Sequence, residues 1–293
     1  MFSKLINNVL EKTSTFTEDI AVLNQYLFTF IEGNNSLQKL IPFVKNHGKY
    51  VRSVLYFDFW ENSDFVEEEV KYKTVALIEL LHFASMMHDD VVDDNCKRRS
   101  DDSFKKKYGN KESILLGDFV LAKTVNEFLA LYENESLIKN LFLRECSATA
   151  YGAVLEQQLT YLSTFTDYLR VVTLKTSPLF KLCCFLGSYL PTKNFAFAKK
   201  AAIFGTCFGI IFQAQNDIDC YKFENFEDSE DYVQKNITLP TVILRDHFNC
   251  DISRFEQRNQ AYYEEIRKMI FSNKFVLMVT EHLDKFINYV NNF

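Results

Sequence analysis

Apolar residues recur along this chain at the three- and four-residue intervals of helices and almost nowhere in strict alternation. The stripe is clearest in 64–94, where Leu77, Leu80, Leu81, Ala84 and Val91 fall on one face. That spacing predicts a core-facing helix, with Asp64 as its N-cap and Glu67 three residues on. A second long helix is predicted over Ala198–Tyr221, which is apolar on nearly every side, as a central buried helix must be. Further helices are predicted near 3–31, 49–61, 112–134, 136–162, 166–188, 230–248, 257–271 and 275–291. No stretch of alternating polarity is long enough to predict a sheet, and no repeat or low-complexity tract interrupts the pattern.

Composition narrows this further. Only 8 Gly and 4 Pro occur, and no linker-like segment divides the chain, so a single helical domain over 1–293 is expected. The 29 Phe and 15 Tyr can fill a large core or line a wide apolar cavity. A net charge of −6 argues against nucleic acid as a partner, because a duplex binder needs a basic stripe. The opening MFSKLINNVLEK lacks the pattern of a signal peptide. The longest apolar run, Ala201–Phe212, is interrupted by Gly205, Thr206 and Gly209 and falls short of the ~18 residues that span a bilayer. No stable membrane insertion and a cytoplasmic location are therefore expected. The 7 Cys match neither a zinc spacing nor a secreted framework, and read as reduced core residues.

Each of the two long helices carries something a core should not. His88-Asp89-Asp90-Val91-Val92-Asp93-Asp94 ends the first, and Gln213-Ala214-Gln215-Asn216-Asp217-Ile218-Asp219 interrupts the second. Asp89 and Asp93 lie one helical turn apart on one face, where like charges repel and raise each other's pKa. A hard divalent cation reverses that sign, and magnesium suits it, taking one or two carboxylates and sharing its other positions with water and phosphate oxygens. Read alone, the run is equally an exposed acidic helix end or a set of caps for the next helix. Basic residues nearby change the balance. Lys97-Arg98-Arg99 follow directly, Lys49 and Arg52 share a helical face behind Gly48, and Lys175-Thr176 precede Ser177-Pro178. Acidic and basic clusters in an otherwise apolar helical chain describe a site for metal-bound diphosphates.

The order and spacing of these elements resemble the trans-isoprenyl diphosphate synthase family. That family shows GK-x-x-R, a DDxxD followed by paired arginines, KT, and FQ-x-x-DDxxD. This chain has GKYVR at 48–52, HDDVVDD at 88–94, RR at 98–99, GD at 117–118, KT at 175–176, FQAQND at 212–217 and TLP at 238–240. The resemblance implies an all-α bundle around a deep central cavity, with the two aspartate-bearing helices facing across it, and usually a homodimer. By it, Asp89, Asp90 and Asp93 hold magnesium on the allylic diphosphate, which Arg98 and Lys175 also grip. Lys49, Arg52, His82 and Arg99 bind isopentenyl diphosphate, and Thr176 and Gln213 border the forming carbocation. Ala84 and Ser85, one turn above the first aspartate, are small where bulky aromatics in this family floor the pocket, so a long product is expected, from hexaprenyl upward, of the kind used for quinone tails.

The second motif departs from the pattern. Within Asn216–Cys220 only Asp217 stands in register, Asp219 comes one residue early, and Asn236 replaces the lysine of a GKxTLP-like stretch, leaving Lys235 beside it. A weaker third metal site follows, with Asp217, and Asp219 beside it, as the remaining ligands. Three other readings compete with this one. A non-catalytic subunit supporting an active partner is compatible with the degraded motif. A terpene cyclase has no use for the GK-x-x-R and RR elements, and a purely structural bundle leaves buried charge uncompensated.

Overall fold

The computed structural model describes residues 2–32, 37–45, 48–60, 66–98, 101–257 and 259–291. With so few helix breakers, helices form wherever the apolar stripe repeats. In chain order they are α1 (Phe2–Glu11), α2 (Thr17–Ile31), α3 (Ile41–Lys45), α4 (Val51–Asp58), α5 (Glu68–Val92), α6 (Phe104–Leu131), α7 (Ser136–Glu156), α8 (Phe165–Lys175), α9 (Ser177–Thr192), α10 (Phe195–Asp219), α11 (Glu230–Gln234), α12 (Leu239–Phe248), α13 (Gln260–Ile270) and α14 (Asn273–Asn291). Between α5 and α6, β1 (Lys97–Arg98) and β2 (Asp101–Asp102) pair antiparallel, Lys97 opposite Asp102 and Arg98 opposite Asp101. This ladder is too short to show as alternating polarity.

Three predicted helices are broken, each for a local reason. The stretch 3–31 divides after Glu11, where the Ser14 hydroxyl donates to the Glu11 carbonyl at 2.7 Å and that of Thr17 to the Ser14 carbonyl at 2.9 Å, competing with the helical ladder. The stretch 166–188 divides at Thr176, so that Pro178 lies in the first turn of α9, where no N–H is needed. The stretch 230–248 divides at Lys235, which is left-handed (φ 61°), and α12 restarts where the Thr238 N–H donates to Thr241 Oγ1 at 2.8 Å. Helix α6 begins earlier than predicted and kinks at Gly109 (φ 86°). The cap expected at Asp64 lies outside the described residues. Helix α5 starts at Glu68, behind Glu67.

The chain packs as two compact units. One comprises residues 4–147 and 182–202, the other 1–3, 148–181 and 203–293. In the first, α5 and α6 run antiparallel: His88 Nε2 meets Asp118 Oδ1 at 3.2 Å near one end, and the hydroxyls of Thr74 and Tyr132 hydrogen-bond near the other. Between these ties the buried residues Leu77, Leu81 and Ala84 share the interior with Val120, Thr124 and Phe128. Phe128 stacks on Phe142, ring centres 3.8 Å apart and 7° from parallel. Helix α2 is bound to α5 through Asp19, which accepts from Lys71 Nζ and the Tyr72 hydroxyl, each at 2.7 Å. In the second unit, Tyr168, Ile210, Ala214, Tyr221, Tyr232, Leu239 and Tyr263 form one apolar core. Helix α10 is, as a helix, long and apolar enough to cross a membrane, although its sequence holds no unbroken apolar run. It buries Phe208, Ile210, Ile211 and Ala214, leaves Phe195, Phe197 and Phe204 exposed, and ends in amides and carboxylates.

Candidate active site

Helix α5 delivers the first aspartate cluster at its C-terminus. Asp89, Asp90 and Asp93 occupy its last turn and its cap, and the Asp93 N–H donates to the Asp89 carbonyl at 2.8 Å. Asp90 is only 3% exposed, while Asp89 and Asp93 are half-buried. The free carbonyls of a helix C-terminus carry partial negative charge, so three carboxylates there add to an unfavourable field. Cations must balance it. Asp94, turned left-handed (φ 53°), already has one, since it pairs with Lys105 of α6, which holds its carboxyl below the usual range. Above the cluster on the same helix lie His82, buried Ala84, and Ser85, whose hydroxyl donates to the His82 carbonyl at 2.7 Å.

The GKYVR element forms the entry to α4. Gly48 has a φ of 141°, which favours glycine, and Tyr50 is left-handed (φ 47°), so the chain turns sharply before the helix. Lys49 is exposed on that turn. Arg52 is largely buried, and burial pulls its pKa down against the opposing pull of Glu79 on α5. Of the paired arginines, the Arg98 backbone lies in β1, while its side chain and all of Arg99 fall outside the described residues.

In the other unit, three residues picked out by sequence form one hydrogen-bonded chain. The Thr176 hydroxyl donates to Gln213 Oε1 at 3.1 Å, and Gln213 Nε2 donates to Asp217 Oδ1 at 2.7 Å. The second oxygen of Asp217 accepts from the Tyr168 hydroxyl at 2.8 Å and from the Leu239 N–H at 3.0 Å. Asp217 is 3% exposed, and burial, with the charge of Asp231 added, raises its pKa to about 7 despite these donors. Lys175 pairs with Glu156 of α7. Lys235 is exposed at the left-handed end of α11. Asn236, in the place of the expected lysine, donates to Asp231 Oδ1 at 3.0 Å.

Sequence reasoning missed Glu79, Tyr168 and Glu156. Glu79 was visible as one carboxylate inside the apolar run Val75–Leu81. Tyr168 and Glu156 carry no comparable signal.

Carboxylates at the negative end of a helix call for cations, and a basic helix start tied to the same helix calls for an anion. Together they suit phosphorylated substrates. The chain belongs to the polyprenyl synthetase family, whose profile matches residues 35–268, and it is a trans-prenyltransferase making polyprenyl diphosphates. It is 29% identical to the all-trans-nonaprenyl-diphosphate synthase (geranyl-diphosphate specific) of Rhodobacter capsulatus over 236 residues, 77% of this chain and 71% of that one. It is 26% identical to heptaprenyl diphosphate synthase component 2 of Bacillus subtilis over 239 residues, 78% of this chain and 67% of that one. The crystal structure of geranylgeranyl pyrophosphate synthase from Lactobacillus brevis shares the fold, with a TM-score of 0.81 over 96% of this chain and 90% of that one at 20% identity.

Proposed function

We propose that this enzyme extends an allylic diphosphate, with farnesyl diphosphate as the starter, by repeated condensation with isopentenyl diphosphate, giving a long all-trans product for a quinone side chain. The observation that carries this reading is the end of α5, where Asp89, Asp90 and Asp93 gather beneath the small residues Ala84 and Ser85.

The donor set suits magnesium. Magnesium takes one or two carboxylates and completes its shell from water and phosphate oxygens, whereas among the described residues no three acidic, His or Cys side chains are gathered as a cage for one ion. Asp89, Asp90 and Asp93 would hold it. When bound, it supplies positive charge to the departing diphosphate. The chain's own residues do the rest. Arg98 and Lys175 grip the allylic diphosphate as its C–O bond breaks, with the electron pair leaving on the diphosphate oxygen. Lys49, Arg52, His82 and Arg99 hold isopentenyl diphosphate so that its alkene attacks the allylic cation, and transfer of a proton to the departed diphosphate restores a double bond. Thr176 and Gln213 border the cation, and the apolar surroundings keep water from trapping it. Asp217 is 3% exposed and already accepts three hydrogen bonds, leaving one acceptor position on Oδ1 for a third metal, so we read that site as weak.

Exposed Ile114, Leu115 and Phe119 on α6, with Leu137 and Leu143 on α7, support a homodimer through these helices. The seven free thiols support a reducing, cytoplasmic setting.

The altered Asn216–Cys220 motif favours a second reading, a subunit that supports an active partner. The name of the Bacillus subtilis relative, component 2, speaks of a partner subunit for that protein. One experiment separates them. Purified protein is incubated with farnesyl diphosphate, labelled isopentenyl diphosphate and magnesium, and the products are sized. A ladder ending in a discrete long chain, abolished by Asp89→Ala, is expected. No incorporation by folded protein at any magnesium concentration would favour the partner-subunit reading.

A further inference from the structure

We infer that Glu79 is a positioning residue for isopentenyl diphosphate: it caps the first turn of α4 from α5 and so fixes Arg52 in its binding orientation. The inference rests on the prenyl-transfer reading of Lys49, Arg52 and His82.

The first turn of a helix leaves N–H groups without partners, and an N-cap side chain usually takes one. Helix α4 has no such cap of its own. Its N-cap is Tyr50, left-handed and with no side-chain hydrogen bond to the turn. Glu79 fills the role from another helix. Its Oε1 accepts the Ser53 N–H at 3.2 Å and also the Ser53 hydroxyl. Glu79 is 2% exposed, so its charge is held out of water, which is tolerated only with donors and a cation at hand. Arg52, next to Ser53, is the cation whose charge Glu79 balances.

The far side of α4 is fixed as well. Gly187 of α9 lies so close to the Tyr56 carbonyl that a Cβ there would collide with backbone. One turn earlier on each helix, Cys183 lies near Arg52, its thiol kept neutral by burial. Arg52 is thus set between α5 and α9, with Glu79 as its counter-charge. On α5, Glu79 is three residues before His82, so one helix face carries a group assigned to the substrate and the group that aims its neighbour. Glu79 need not touch substrate to act. A guanidinium has five N–H donors and can serve a carboxylate and a diphosphate together.

The test titrates isopentenyl diphosphate into the folded full chain by calorimetry and measures KM for each substrate separately. Glu79→Gln is expected to weaken isopentenyl diphosphate binding about tenfold, the scale on which groups behind a ligand act. The KM for the allylic diphosphate should stay unchanged. Wild-type affinity for isopentenyl diphosphate, or equal loss of both substrates, would overturn the inference. Glu79→Asp keeps the charge but draws it back from Ser53, and serves if Glu79→Gln does not fold. A loss confined to isopentenyl diphosphate is expected for it, and unchanged binding would again overturn the inference. Arg52→Ala is measured alongside. If it leaves isopentenyl diphosphate binding intact, the assignment of the subsite itself fails. If it weakens binding while the Glu79 variants do not, only the positioning role fails.

Discussion

Replacing Tyr168 with Phe deletes one hydroxyl from the buried Asp217 network and leaves the ring in place. The hydroxyl donates to Asp217 Oδ2 at 2.8 Å, and both residues are buried. A hydrogen bond to a charged group contributes about 1.5–3 kcal/mol, and one to a neutral group about 0.5–1.5 kcal/mol. The loss must therefore depend on whether Asp217 is ionised. Its folded pKa is raised to about 7, far above the usual carboxylate range, so between roughly pH 4 and 7 the folded protein holds a proton that the unfolded chain has released. The charged-form bond with Tyr168 is thus complete above pH 7 and fades as pH falls through that value. Thermal melts of both proteins in chelator, at pH 8.5 and pH 5.5, would show it. At the higher pH a loss of about 2 kcal/mol is expected, equivalent to roughly 4 °C for a chain of this size. At the lower pH about half of that should remain, because the hydroxyl then faces a neutral carboxyl. Equal losses at the two pH values, or none at either, would refute the argument.

Ala84→Phe should shorten the product, as read by chromatography of the chain lengths, and an unchanged distribution would mean that another layer sets the floor. The same variant should melt lower, by about 1–3 kcal/mol, because Ala84 is fully packed. A chelator should abolish activity and magnesium restore it, with saturation requiring more magnesium than an intact pair of motifs would. Full activity at ordinary low magnesium would contradict a weak third site. Phe142→Ala removes one ring of the Phe128 stack and should cost about 3–5 kcal/mol in urea denaturation, whereas a loss below about 1 kcal/mol would show that the site collapses freely.

Much of the helical pattern was legible because α5 and α10 bury long apolar stripes: 64–94 was expected against Glu68–Val92, and 198–221 against Phe195–Asp219. Periodicity could not show where a helix stops when the next continues the same stripe. The breaks at 12–16, Thr176 and Lys235 depend on hydroxyls, on Pro178 and on one left-handed residue. In the site, the first aspartate cluster was legible because carboxylates at the end of an apolar helix stand out. The engagement of Asp217 was not, since its donors come from α8 and from the N–H that opens α12, far away in sequence. Glu79 was overlooked because a single carboxylate in a buried stripe reads as an imperfection until its partner on α4 is seen.

The interleaving of the two units bears on how the protein is born. The unit built on α5 and α6 needs residues 182–202, which are made some 55 residues after position 147. At ribosomal speeds of 5–20 residues per second, that is a wait of roughly 3–11 s. During it, the α4 surface that later receives Gly187 stays uncovered on the nascent chain, with Arg52 beside it. A chaperone that recognises apolar helix faces would find its substrate in that interval, and slow codons between 147 and 202 would lengthen its opportunity.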